Sequence, residues 1–165
     1  MKKIKKALIS VSDKKNLKSL LNTLSKYKIK LISSGGTYKE IKKLKFKCIE
    51  VSKFTGSPEI LDGRVKTLHP KIHAGILFDR KKNTHKRQMK KKKIQGIDLV
   101  IVNFYPFKEI LKKTSNNSKI VENIDIGGPC MVRAAAKNCN DVVIITHKED
   151  YSDFIKEIKK NNGKT

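Results

Sequence analysis

Apolar residues along this chain follow two rhythms. Leu17, Leu20, Leu21 and Leu24 recur at steps of three and four, which puts them on one face of a helix. Ser12 or Asp13, just before that run, is placed to cap it. Short unbroken apolar blocks read instead as strands buried on both faces. They fall at 7–11, 30–33, 47–51, 72–78, 97–102 and 142–145, and the block at 97–102 is the clearest. Helical patterns follow through Ile41 and Leu44, over 131–136, and at the end on Tyr151, Phe154, Ile155 and Ile158. Residues 52–62 read as loop with one helical turn near 58–61, and 161–165 as the start of a linker. Strand and helix alternate throughout. The expected fold class is therefore α/β, a mostly parallel sheet with helices on both faces.

Length and charge narrow the picture. At 165 residues the chain suits one domain, expected over 1–160, large enough for a core without disulfides. The formal charge of +24 invites a nucleic-acid reading, but only four of the 39 basic residues are arginine: Arg64, Arg80, Arg87 and Arg133. Aromatics are 6% and tryptophan is absent, so base stacking has little to work with. Lysine is spread over nearly every solvent face, which reads as a general lysine bias. The densest stretch, 79–93, carries nine Lys/Arg and reads as a solvated helix or insertion. No nucleic-acid partner is expected. The three cysteines, Cys48, Cys130 and Cys139, have no metal-ligand spacing and fit a reduced, cytoplasmic setting. No stretch approaches the roughly 20 apolar residues of a membrane span.

Candidate chemistry gathers where predicted strands end. Ser10-Val11-Ser12-Asp13-Lys14 and Ser33-Ser34-Gly35-Gly36-Thr37 each close a strand with hydroxyls or glycines before a helix. In a parallel sheet both loops open on one edge, where backbone N–H groups and helix N-termini hold anions. Gly63-Arg64-Val65-Lys66-Thr67-Leu68-His69-Pro70 is too polar for core, and Arg64, Lys66 and His69 are placed to meet one anion. Asn103 and Tyr105 follow the clearest strand onto that edge. Asp125 lies between isoleucines beside Gly127 and Gly128, and a carboxylate there needs a partner. Lys137 is the expected one. His69 and His73 have a helical i, i+4 spacing but no third ligand, so no metal site is expected. Walker and G-x-G-x-x-G patterns are absent, which removes two nucleotide-cofactor readings.

Taken together, these blocks, with 103–107 and with 123–129 continuing to 133–138, resemble one family closely over about residues 6–158. It is the inosine monophosphate (IMP) cyclohydrolase domain of the bifunctional purine-biosynthesis enzyme that also carries aminoimidazole carboxamide ribonucleotide (AICAR) formyltransferase. The resemblance implies a methylglyoxal-synthase-like fold, usually dimeric, with no cofactor and no metal. It implies ring closure of formyl-AICAR to IMP and water, the last step of de novo purine synthesis. It assigns Lys66, Tyr105, Asp125 and Lys137 to the chemistry. Ser10, Ser12, Lys14, Ser34, Gly36, Thr37, Arg64, Thr67, Asn103, Ile126, Gly127 and Gly128 are assigned to the nucleotide. The formyltransferase domain is not in these 165 residues, so no transformylase activity is expected of them. Two rivals share the phosphate loops. A lyase acting on a phosphorylated triose does not require the blocks at 63–70 and 123–137. A non-catalytic nucleotide sensor does not require Lys66, Tyr105, Asp125 and Lys137 together.

Overall fold

The computed structural model describes residues 1–165. Five strands form one parallel sheet: β1 (Lys6–Val11), β2 (Lys30–Ser33), β3 (Cys48–Glu50), β4 (Leu99–Asn103) and β5 (Val143–Ile145). Their order across the sheet is β3-β2-β1-β4-β5. The chain lays β2 and β3 to one side of β1, then returns and lays β4 and β5 on the other. That reversal parts the connections leaving β1 and β4 and opens a crevice at their carboxyl ends. Register holds the crevice level: Ala7 pairs with Leu31 on one side and Leu99 on the other, and Val11 pairs with Asn103.

Strand alternation sorts the core into two layers. Ala7, Ile9 and Val11, with Leu31, Leu99 and Ile101, face one cluster; Leu8, Ile32, Val100 and Val102 face the other. The first layer is closed by α1 (Leu17–Lys26) and α9 (Tyr151–Lys160) and by Ile41 of α2 (Gly35–Lys43). All four leucines of the predicted stripe on α1 are buried, as are Tyr151, Phe154 and Ile158 on α9. The second layer is closed by α3 (Val51–Thr55), α4 (Pro70–Leu77) and α8 (Gly127–Lys137). The lysine-rich α5 (Asn83–Lys91) lies outside, tethered by buried Met89. Two short helices, α6 (Phe107–Lys113) and α7 (Asn117–Glu122), bury no residue. No helix is long and apolar enough to cross a membrane.

Several elements differ from their sequence reading. The block at 72–78 is not a strand but most of α4. Pro70 occupies the first turn, where its missing N–H costs nothing, and Ile72 and Ile76 are buried one turn apart. His69 starts that helix, its Nδ1 accepting from the Lys71 N–H at 3.1 Å. Its ring caps the helix and does not line the cleft with Arg64 and Lys66. The third strand stops at Glu50, and Val51 opens α3. The expected helical turn at 58–61 is a loop closed by a bridge between Ile60 and Val65. Asp13 does not cap α1: Asn16 stands at that position, and the Asp13 carboxylate accepts from the Lys15 N–H instead. Residues 161–165 turn back on the amino terminus, where Lys2 N–H donates to the Thr165 carbonyl at 2.7 Å.

The edge opposite the crevice is fixed by ions. Asp98, just ahead of β4, accepts from the Lys5 and Lys6 N–H groups. The Arg80 guanidinium reaches Asp98 at 2.7 Å and the Ile97 carbonyl at 2.9 Å, and also meets the Asp141 carbonyl. Asn138, which follows α8, donates to the Ile76 and Phe78 carbonyls and so ties off the end of α4.

Candidate active site

A cleft of about 580 Å³ opens over the carboxyl ends of β1, β2 and β4. Its volume is in the roughly 300–1,000 Å³ range of small-molecule sites. Ser10, Ser12, Lys14, Ser34, Gly36, Thr37, Arg64, Lys66, Thr67, Asn103, Tyr105, Asp125, Ile126, Gly127 and Gly128 all line it. The sheet topology thus gathers every expected site residue but one.

That one is Lys137. It lies in the last turn of α8, exposed, while Asp125 precedes the first turn. At about 1.5 Å of rise per residue the helix separates them by roughly 15 Å. The expected Asp125–Lys137 ion pair does not form. Asp125 finds its partner locally: Oδ1 accepts from the Gly128 N–H at 2.8 Å. A short side chain at a helix start satisfies a free backbone donor in this way.

Two helices aim their amino ends into the cleft. Ser34 sits before α2 with extended backbone and makes no side-chain cap bond, so the first N–H groups of α2 face the opening. Gly35 has φ +53°, which favours glycine, and a Cβ there would meet Lys66 Nζ at 3.3 Å. A Cβ on Gly36 would lie 4.0 Å from Lys14 Nζ. Two ammonium groups therefore flank the positive end of α2, a place made for a dianion. At the second end, α8, a Cβ on Gly127 would fall 2.5 Å from Thr67 Oγ1. Buried Thr67 packs on the bare backbone of that helix.

Side-chain groups divide into free and committed. The Thr37 hydroxyl bonds both the N–H and the carbonyl of Val11, each at 3.0 Å, so its O–H donor is not free for an anion. The Asn103 carboxamide is committed to the turn at Ser12 and Asp13. Arg64 makes a two-pronged bond to Glu122, the last residue of α7. The hydrogen bond from Arg64 holds the Glu122 carboxyl below its ordinary range. Tyr105 is half exposed at the rim, and Val121, Ile124 and Ile126 give that side of the mouth an apolar surface. Glu122 and Asp62 were missed as lining residues. Nothing local marks them, and only the fold of the 60–65 loop and of α7 brings them to the cleft.

A five-stranded parallel sheet with hydroxyl- and glycine-rich loops at one edge defines a class, and comparison with known proteins agrees. The model of the MGS-like domain family matches residues 16–130, and the chain belongs to that family. Among curated relatives it is 52% identical over 157 residues to the bifunctional purine biosynthesis protein PurH of Acetivibrio thermocellus, covering 94% of this chain and 30% of that protein. It is 50% identical over 159 residues to PurH of Prochlorococcus marinus, covering 96% and 31%. The chain thus spans about 30% of the length of these relatives. The crystal structure of ForH superposes with a TM-score of 0.84 at 30% identity, over 97% of this chain and 82% of that one.

Proposed function

We propose that residues 1–160 form an IMP cyclohydrolase unit that closes formyl-AICAR to IMP. The observation that carries this reading is the joining, in one cleft, of a dianion site at α2 with Lys66, Tyr105 and Asp125. The ribonucleotide phosphate takes the α2 N–H groups, the Ser10, Ser12 and Ser34 hydroxyls and Lys14. The base lies toward Arg64, Thr67 and the start of α8.

In the reaction the carboxamide nitrogen forms a bond to the formyl carbon, and the formyl oxygen leaves as water. That water carries one proton from the carboxamide nitrogen and one from the formamido nitrogen. An amide nitrogen is a poor nucleophile, so a nearby base lowers the barrier. Asp125, which lines the cleft and is held by its bond from the Gly128 N–H, serves as that base. The developing oxyanion needs positive charge and a donor. Lys66 provides the charge and the Tyr105 hydroxyl the donor. The step requires no cofactor. The three free cysteines support a cytoplasmic setting. Exposed Val121, Ile124 and Ile126 at the cleft mouth support a homodimer that covers them.

Two substitutions test the division of labour. Lys66→Ala is expected to lower kcat by about 10²-fold or more, as loss of an oxyanion donor does. Lys14→Ala is expected to raise KM with kcat nearly unchanged, as loss of uniform binding does. The reverse pattern would exchange the roles of the two lysines.

A further inference from the structure

Asn103 ends β4 beside β1, at the bottom of the cleft. Its carboxamide oxygen accepts from the Ser12 N–H at 2.5 Å and the Asp13 N–H at 3.0 Å. Its nitrogen donates to the Asp13 carbonyl at 2.9 Å. A carboxamide has two acceptor sites and two N–H donors, and here the turn holds three of the four. Its oxygen is fully committed to the turn, and the main work of the side chain is done there. The turn it grips is gripped again from the other side, since the Asp13 carboxylate meets the Lys148 ammonium.

We infer that Asn103 is a positioning residue. It acts on the nucleotide phosphate only through the Ser12–Asp13 turn, and the Asp13–Lys148 pair is the second half of the same brace. The inference rests on the nucleotide reading of the cleft. Without Asn103 two N–H groups and a carbonyl lose their partner, and the turn bearing Ser12 and Lys14 is free to shift. Lys66 and Asp125 stand on other loops and keep their places.

The test is steady-state kinetics of the full chain on formyl-AICAR, with binding of IMP and of inosine alongside. Asn103→Ala is expected to raise KM about tenfold, the worth of one or two hydrogen bonds. It leaves kcat within about twofold, because the phosphate end binds ground and transition states alike. IMP affinity falls in step while inosine affinity, which needs no phosphate site, does not. Lys148→Met, remote from the cleft, shifts KM in the same direction by less. The double variant shows less than the product of the two effects, as residues acting through one turn do.

A fall in kcat at unchanged KM would overturn the inference, as would equal loss of IMP and inosine binding. If Asn103→Ala does not fold, Lys148→Met decides alone, and an unchanged KM then rejects the brace. A parent chain that neither binds IMP nor turns over formyl-AICAR rejects the nucleotide reading itself, a separate outcome.

Discussion

Adding one methyl group at Gly128 offers a sharp test of where Asp125 stands. A Cβ there would lie 2.4 Å from Asp125 Oδ2, 3.0 Å from Cγ and 3.1 Å from Oδ1. The carboxylate must swing away, which breaks the 2.8 Å bond from the Gly128 N–H. Losing a side-chain acceptor at a helix start costs about 0.5–2 kcal/mol. For a chain of this size each 1 kcal/mol lowers Tm by about 2–4 °C, so Gly128→Ala should melt roughly 1–8 °C early. The effect on chemistry should be larger, because misplacing a reacting group by about 1 Å costs about 10²-fold in rate. Gly36→Ala is the control for stability: its Cβ would meet only the end of Lys14, at 4.0 Å, so Tm should hold. The assays are thermal melting by circular dichroism and initial rates on formyl-AICAR. A Gly128→Ala chain with the parent's Tm and kcat would refute the placement of Asp125.

Other consequences follow from the opposite edge and the core. Arg80→Ala takes the guanidinium from Asp98, whose side chain is 18% exposed, while Asp141 keeps its Lys2 ion pair; it should cost about 1–3 kcal/mol by urea titration, and a loss under about 0.5 kcal/mol would show the network to be idle. Burial pushes the Asp141 carboxyl up, but Lys2 and the Arg80 N–H outweigh it and hold it below its ordinary range. Such a carboxylate stabilises the fold above its unfolded-state pKa, and that contribution is lost as pH falls through the lowered folded value. The urea midpoint should therefore fall below about pH 4, and less steeply in Asp141→Asn. Burial raises the Cys48 thiol to about 12, so alkylation at neutral pH should label exposed Cys139 well before Cys48.

The gathering of the 10–14 and 33–37 loops at one sheet edge was legible in sequence for a local reason. Hydroxyls and paired glycines after an apolar block leave few other structures open, and parallel pairing sends both loops to one edge. The face of α1 was equally legible, since four leucines at helical spacing have one buried solution. The block at 72–78 misled because it is short and apolar throughout, which suits a strand or a buried helix equally. Pro70 ahead of it was the deciding signal, a residue that fits a first turn better than a strand. The Asp125–Lys137 pair failed for a geometric reason. A helix keeps residues at its two ends apart, and a buried-looking acid next to glycines can be satisfied by backbone N–H groups alone. The commitments of Thr37 and Asn103, and the lining role of Glu122, depend on contacts between residues far apart in sequence. No local pattern carries them.

The measurement that tests the central claim most directly is conversion of formyl-AICAR by the purified 165-residue chain, followed by the ultraviolet absorbance of IMP. The cleft predicts catalysed ring closure that saturates with nucleotide and needs no added metal or cofactor. A folded chain that leaves the rate at its uncatalysed value and does not bind IMP would contradict it.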